Sequence, residues 1–377
     1  MKISSKTWRS TVVAGTVALG LGLGAQADAA DSYKATFYVA GMGGHFAKAE
    51  VTIDPAQETP IKLHALTKVD IGDRASHPTH DARIDVNDRN VMFWSTYQVD
   101  AATNKLHVGK TDLKTGKKIM DVDVDVPAEA TKTKSMYCAS GQSADYFLPI
   151  SMAHRGYIDV FSKSDLKRTQ RIFLEGTDAD IKKPYKFYHG INSPDMKKLL
   201  VSINEADTDH GTTIGKLHLV TLDLPALTNG QVKVLGKGLA TGVEKKTVSF
   251  RQYYSNDGKL IANSGGDRLF LIDADSLGVI DAEMMGALGE ENHDAIFTPD
   301  DNYVIATART KVVQAGCKDP QNPGPDEFLM DGTLRLYDVK AKKFIGKSTS
   351  VCLACHDKEG LGEHAVLCGL DANWSNI

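Results

Sequence analysis

Residues 85–97 read "DVNDRNVMFWSTY" and contain the unit that the rest of the chain repeats. A turn crowded with Asp and Asn runs without a spacer into an apolar segment. Asn, Asp, Pro and Gly supply the backbone geometries that a tight antiparallel connection requires. The same join returns along the chain. Its turns are "SGQSADY" (140–146), "NSPDMKK" (192–198), "SNDGK" (255–259) and "TPDDN" (298–302), followed by "FLPISMA", "LLVSI", "LIANS" and "YVIATA". A shorter copy of the turn, "GLDANW" (369–374), closes the chain.

A third strand recurs with an acidic residue and then a turn: "LHVGKTDLKTGK", "IDVFSKSDLK", "LHLVTLDLPALTNG", "LFLIDADSLG", "LRLYDVKAKK" and, near the N-terminus, "AEVTIDPAQ" (49–57). A fourth follows each, as in "KIMDVDVDV", "RTQRIFLEG" and "FIGKSTSV". Four short strands per repeating unit is the signature of a propeller blade. Apolar and polar residues alternate, and helical periodicity is almost absent. The expected fold is therefore all-β, a propeller of six four-stranded blades. Seven is the competing count, because the repeat spacing is irregular. Five full units lie between about Ser76 and Cys352. The N-terminal strands "ATFYVAGM", "AKAEVTID" and "IKLHALTKV" lack a first strand, and the C-terminal "HAVLCGLD" supplies one, closing the ring and removing exposed sheet edges.

Residues 1–29 read as an export signal. Lys2, Lys6 and Arg9 precede an apolar run from Val12 to Leu23, and Ala27-Asp28-Ala29 is a small-residue cleavage pattern. The run is short and Gly-rich for a membrane anchor, and no later segment approaches the ~20 apolar residues of a span. The expectation is a periplasmic or extracellular protein whose residues 30–377 form a single propeller domain, with no membrane span after processing. Charge is nearly balanced, 44 Lys plus Arg against 48 Asp plus Glu. No basic stripe stands out, which excludes nucleic acid as the main partner.

Propeller topology converts sequence positions into geometry. Loops joining strands two to three, and strand four to the next first strand, share one face, the top. His80, His189, His293 and His364 open first strands at the channel mouth, and His77 lies just before His80. His45, His154 and His210 fall in two-to-three loops, and His356 lies in the last connection. His64, His107 and His218 map to outer strands and read as structural. Imidazole is the commonest ligand for copper, zinc and iron, so His77, His80, His154, His189, His293 and His364 form the candidate metal set. Arg251, which replaces histidine in its unit, reads either as an anion holder or as a structural hydrogen-bond donor to a loop. Glu205, Asp207 and Asp209 near His210 read either as carboxylates supporting a site or as a solvated loop.

"CLACH" (352–356) is the attachment pattern of c-type haem: two thiols bracket one porphyrin edge and the adjacent histidine ligates the iron. Cys352, Cys355 and His356 are the candidate haem c residues, with His364 the nearest in-sequence candidate for the other axial position; a histidine from another blade, Met152 or an open position would serve as well. The 351–363 connection places the motif on the top face, beside the channel mouth. Two other readings stand: a disulfide among Cys352, Cys355, Cys317 and Cys368, or a zinc or copper knot using Cys352, Cys355, His364 and Cys368. The insertion at 310–332 reads as a lid over the same spot.

An exported propeller with histidines entering the top of its channel resembles the propeller of nitrous-oxide reductase and thiocyanate dehydrogenase. That resemblance rests on the repeat and on His77, His80, His154, His189, His293 and His364. It implies a copper cluster acting on a small inorganic molecule. The count of six blades and the lack of a following cupredoxin domain depart from it. The haem motif is similar to propellers paired with c-type haem, such as cytochrome cd1 nitrite reductase, where the haem sits in a separate domain. The first functional expectation is a monohaem redox propeller in a respiratory chain, exchanging electrons with other c-type cytochromes or a redox partner. The others are a copper-dependent oxidoreductase and a non-catalytic interaction propeller with structural cysteines.

Overall fold

A computed structural model describes residues 32–377 except 42, 131–136, 154, 287–289, 314–316, 320, 322–323, 325–327, 360–368 and 376–377. The export signal, His154, His364 and Cys368 lie outside the described residues.

The chain is a six-bladed β-propeller. β1 (Tyr33–Ala40), β2 (His45–Ile53) and β3 (Ile61–Asp70) form three strands of the closing blade. Blade one is β4 (Thr79–Ile84), β5 (Val91–Thr96), β6 (Lys105–Asp112) and β7 (Lys117–Asp125). Blade two is β8 (Tyr137–Gln142), β9 (Tyr146–Ser151), β10 (Tyr157–Ser162) and β11 (Arg168–Phe173). Blade three is β12 (Tyr185–Asn192), β13 (Lys198–Ala206), β14 (Thr213–Asp223) and β15 (Val234–Thr241), with the short helix α1 (Leu224–Thr228) between the last two. Blade four is β16 (Gln252–Tyr254), β17 (Leu260–Ser264), β18 (Arg268–Asp273) and β19 (Val279–Met284). Blade five is β20 (Glu291–Phe297), β21 (Tyr303–Val313), β22 (Phe328–Asp338) and β23 (Lys343–Ser350). Helix α2 (Cys352–Glu359) follows, and β24 (Leu370–Trp374) completes the closing blade in the order β24-β1-β2-β3. No helix among the described residues is long and apolar enough to cross a membrane.

The repeated turns are hydrogen-bonded devices. In "SPD", "SND" and "TPD" the first hydroxyl donates to the Asp two residues on: Ser193 to Asp195 (2.6 Å), Ser255 to Asp257 (2.8 Å) and Thr298 to Asp300 (2.7 Å). The same oxygen accepts the N–H that begins the second strand, from Lys198, Leu260 and Tyr303. A short polar side chain thus satisfies the backbone where the ladder has not yet started. That is why the turn is legible as a motif.

Side chains also staple neighbouring blades near the axis. Asp294 accepts from the Leu370 N–H (2.9 Å), Asp371 from Ile84 (2.8 Å), Asn192 from Gln142 (2.9 Å) and Asn204 from Ser249 (2.7 Å). Arg83 and Arg251 neutralise the buried carboxylates: Arg83 Nη2 and Arg251 Nε lie 3.4 Å and 3.5 Å from Asp81 Oδ1. Burial pushes the Asp294 carboxyl up to about 6, against the pull of both arginines.

Two expectations are corrected. The closing strand is Leu370–Trp374, the segment read as a turn, whereas 364–368 lies outside the described residues. Pairing decides this: Val39↔Leu370 through Ala35↔Trp374 is a continuous antiparallel register, and Leu370 and Ala372 enter the core. Burying a Leu side chain contributes about 1.5–3 kcal/mol, which a local turn preference does not match. The arms of the 310–332 insertion are not a loop. They prolong the β21–β22 hairpin, with Val313 paired to Phe328.

Candidate functional site

Bulges in the first strands build the axial site. β4, β8 and β20 each shift register at one residue, between Thr79 and Asp81, between Tyr137 and Ala139, and between Asn292 and Asp294. The extra residues are His80, Cys138 and His293. A bulge breaks the strict alternation of a strand and re-aims a side chain, here at equivalent places in three blades. Arg251 stands just ahead of β16, and His189 lies within β12. All five are buried, and Arg251 and His189 are fully so.

Arg251 organises the cluster. Its Nη2 donates to the His80 carbonyl (2.5 Å) and to the Cys138 carbonyl, and lies 2.8 Å from His80 Nδ1. Cys138 Sγ lies 3.1 Å from the same Nδ1. His189 donates Nδ1–H to the Ser249 carbonyl (3.2 Å), and its buried Nε2 has no hydrogen-bond partner. Neither nitrogen of His293 is hydrogen-bonded; Nε2 is 3.3 Å from Glu291 Oε1, and the ring stacks on Phe250 at 3.9 Å. Burial, then the Arg251 and Arg309 cations, hold His80 well below the ordinary histidine range. Burial and Arg251 bring His189 down to about 3. The axial imidazoles are neutral.

A cavity of about 290 Å³ opens over this cluster, lined by His80, Cys138 and His293, with Tyr97, Met152, Phe187 and Phe250 as its less polar walls. Lys186, His210 and Arg309 complete the lining. A larger cleft of about 670 Å³ lies along Thr52–His64 and Ser348–Thr349. His64 is its single histidine, hydrogen-bonded to Thr52 (2.7 Å), so the chemistry concentrates at the axis.

His77 does not join the axial set. Its ring lies 4.2 Å from that of His107, and its Nε2 is 2.8 Å from Asp121 Oδ2. His107 Nδ1 is 3.2 Å from the other oxygen, and Lys118 donates to Asp121 at 2.6 Å. These three side chains form a group of metal-ligating geometry within blade one. The position of His107 on an outer strand gives it a structural reading, and nothing in the motif reading points to Asp121. The available signal was "DVDVD" (121–125), whose strand pairs with that of His107. His107 is raised, first by the hydrogen bond with Asp121. Burial pushes Asp121 up, but hydrogen bonds with His107, His77 and Lys118 outweigh it and hold the carboxyl far below its usual range.

His218 pairs with Glu205 (2.7 Å), and Asp207 accepts N–H groups within its own loop, from Thr208 and Thr212. None of these carboxylates lines the axial cavity.

"CLACH" forms the first turn and more of α2, packed against β3 and β22, between the closing blade and blade five. It lies beside the outer part of the blades rather than over the channel mouth. Cys352 and Cys355, three residues apart on a helix, share one side of it. Both are buried in the apolar cluster that holds Ile61, Leu66, Leu334 and Leu336. His356 follows, buried, with its ring 5.9 Å from that of His45. Two thiols one turn apart against apolar side chains, with an adjacent imidazole, are a donor set that fits a covalently attached haem. The His45 carbonyl in turn accepts from Thr79 Oγ1 (3.0 Å), the neighbour of His80.

No protein-family model and no curated protein matches the chain. Solved structures do. The chain is similar to a chain of the nidogen/laminin complex, at 9% identity and a TM-score of 0.52, covering 90% of this chain and 98% of that one. It is also similar to Kuenenia stuttgartiensis hydrazine synthase, at 14% identity and a TM-score of 0.43, covering 70% of this chain and 63% of that one. A functionally unknown protein from Desulfotomaculum acetoxidans matches at 11% identity and a TM-score of 0.45, with 89% of each chain covered. At these identities the likeness concerns the propeller fold.

Proposed function

We propose that this chain is an exported redox propeller that holds one haem c at Cys352, Cys355 and His356 and binds a small inorganic anion in the axial cavity. The observation that carries the reading is continuity. The His356 ring faces His45, the His45 carbonyl is bonded to Thr79, and Thr79 precedes the cavity residue His80. The haem would supply one electron at a time. The protein's own part is to bind and orient. Lys186 and Arg309 line the cavity and Arg251 lies behind it; Glu291 pairs with Arg309 (3.1 Å) and Asp81 lies 3.5 Å from Arg251, so Lys186 is the lining cation that would meet an anion, while the histidines stay neutral. The fitting partner is a periplasmic c-type cytochrome that exchanges single electrons.

A copper-dependent oxidoreductase is the second reading, favoured by the unpartnered Nε2 of His189 and by both nitrogens of His293. Arg251 weighs against it, because its guanidinium already stands against the carbonyl and Nδ1 of His80, where a metal ion would have to sit.

The test is the visible spectrum of purified protein, secreted from a host that matures c-type cytochromes, before and after denaturation. A pyridine haemochrome measurement and metal analysis accompany it. Haem that survives denaturation, and is lost in a Cys352→Ala/Cys355→Ala variant, is the expected result. Stoichiometric copper without haem moves the assignment to the second reading. Neither haem nor metal defeats both and leaves an interaction propeller.

A further inference from the structure

We infer that His45 is the second axial ligand of the iron whose first is His356. This rests on the haem reading above and adds a residue that the sequence motif does not contain.

The two rings lie 5.9 Å apart, centre to centre, with their planes at 52°. Two imidazoles on opposite sides of one metal atom, each bonded at ~2 Å, have ring centres about 6 Å apart. His45 Nδ1 is 3.2 Å from the Gly43 carbonyl, which accepts its proton and leaves the lone pair on Nε2. Metal-bound histidines are oriented in this way, by an N–H given to a carbonyl or carboxylate behind the ring. Gly43 is needed for that placement: a Cβ there would stand 2.4 Å from His45 Cε1.

Both rings sit on ordered elements. His45 opens β2, which pairs with β1 through Phe46 and with β3 through Asp70. His356 rides on α2, where the Leu353 N–H donates to Asp331 Oδ1 (3.0 Å) and the Cys355 N–H to the Val351 carbonyl (2.9 Å).

The consequence is functional. An iron with imidazole on both sides has no open position, so the haem passes electrons and binds no substrate itself. Substrate chemistry then belongs to the axial cavity.

The experiment uses the holoprotein, with carbon monoxide as the probe of an open iron position. Wild type should show a low-spin spectrum and no carbon monoxide binding. His45→Ala should become high-spin and bind carbon monoxide, with the haemochrome content unchanged, and added imidazole should restore the low-spin spectrum. Gly43→Val displaces the ring without removing it and should give a partial loss of the low-spin form. If His45→Ala does not accumulate, that variant carries the test. Covalent haem with unchanged spectra in the variants, or carbon monoxide binding by wild type, overturns the assignment of His45. Absence of covalent haem in wild type overturns the haem reading instead, so the two failures are distinguishable.

Discussion

Two histidine groups in one propeller have opposite electrostatics. At the axis, His80, His189 and His293 are buried beside Arg251, and all three are pushed below the ordinary histidine range. In blade one, His77 and His107 flank Asp121, and His107 is raised. The side chains are chemically identical. What differs is burial first, which lowers the axial three, and then the neighbouring charge, a guanidinium at the axis and the Asp121 carboxylate in blade one. Neutral imidazoles beside cations suit an anionic ligand, whereas imidazoles converging on a carboxylate suit a proton or a metal ion.

The comparison breaks most severely at Arg251. Arg251→Met removes the cation shared by His80, Asp81 and Asp294, and should cost about 3–5 kcal/mol because buried carboxylates lose a partner. Urea unfolding measures the loss, and NMR titration should show His80 and His293 moving upward. Unchanged titration would mean that burial alone, and not Arg251, holds them neutral.

Asp121→Asn is the counterpart in blade one. It removes the negative charge and one of the two acceptor oxygens that serve two imidazoles and an ammonium, with an expected loss of about 1.5–3 kcal/mol. The His107 titration should fall. A raised value that persists in the variant would point to Asp123, 3.5 Å from the ring.

The pH dependence sharpens the same contrast. His107 is raised, so its contribution is complete below its unfolded value near 6.5 and is lost as pH rises through its folded value. Asp121 is depressed, so its contribution is complete above its unfolded value near 4 and is lost as pH falls through its folded value. The stability gap between wild type and Asp121→Asn should therefore be widest between about pH 4 and 6.5 and narrow on both sides. A gap that is flat across that range contradicts the pairing. The smallest effect belongs to a repeat turn that neither group touches: Thr298→Val should cost about 1 kcal/mol, read by the same unfolding measurement.

Much of the architecture was legible because propeller turns are local. "NSPD", "SNDG" and "TPDD" carry their own hydrogen bonds within a few residues, so the pattern survives without any knowledge of neighbours. The closing strand was misplaced by several residues because "GLDANW" copies a turn, and only pairing with β1 makes it a strand. His80 and His293 were legible as channel residues because first strands converge on an axis. His77 was not, since its ring direction depends on the partner that β6 and β7 present. Arg251 was legible as a departure from the histidine pattern, but its hold on His80 and Cys138 was not. The relation of His45 to His356 joins residues from opposite ends of the chain, and no spacing encodes it.

The turns, the strand repeat and the cysteine–histidine motif were legible because each is written within a few consecutive residues, and the blade number followed from counting the repeats. Tertiary structure alone decided which charge stands beside each histidine, where the ring closes and what faces His356. Those depend on closing a circle of six blades, which brings distant residues within a few ångströms and lets burial, not sequence position, set their protonation.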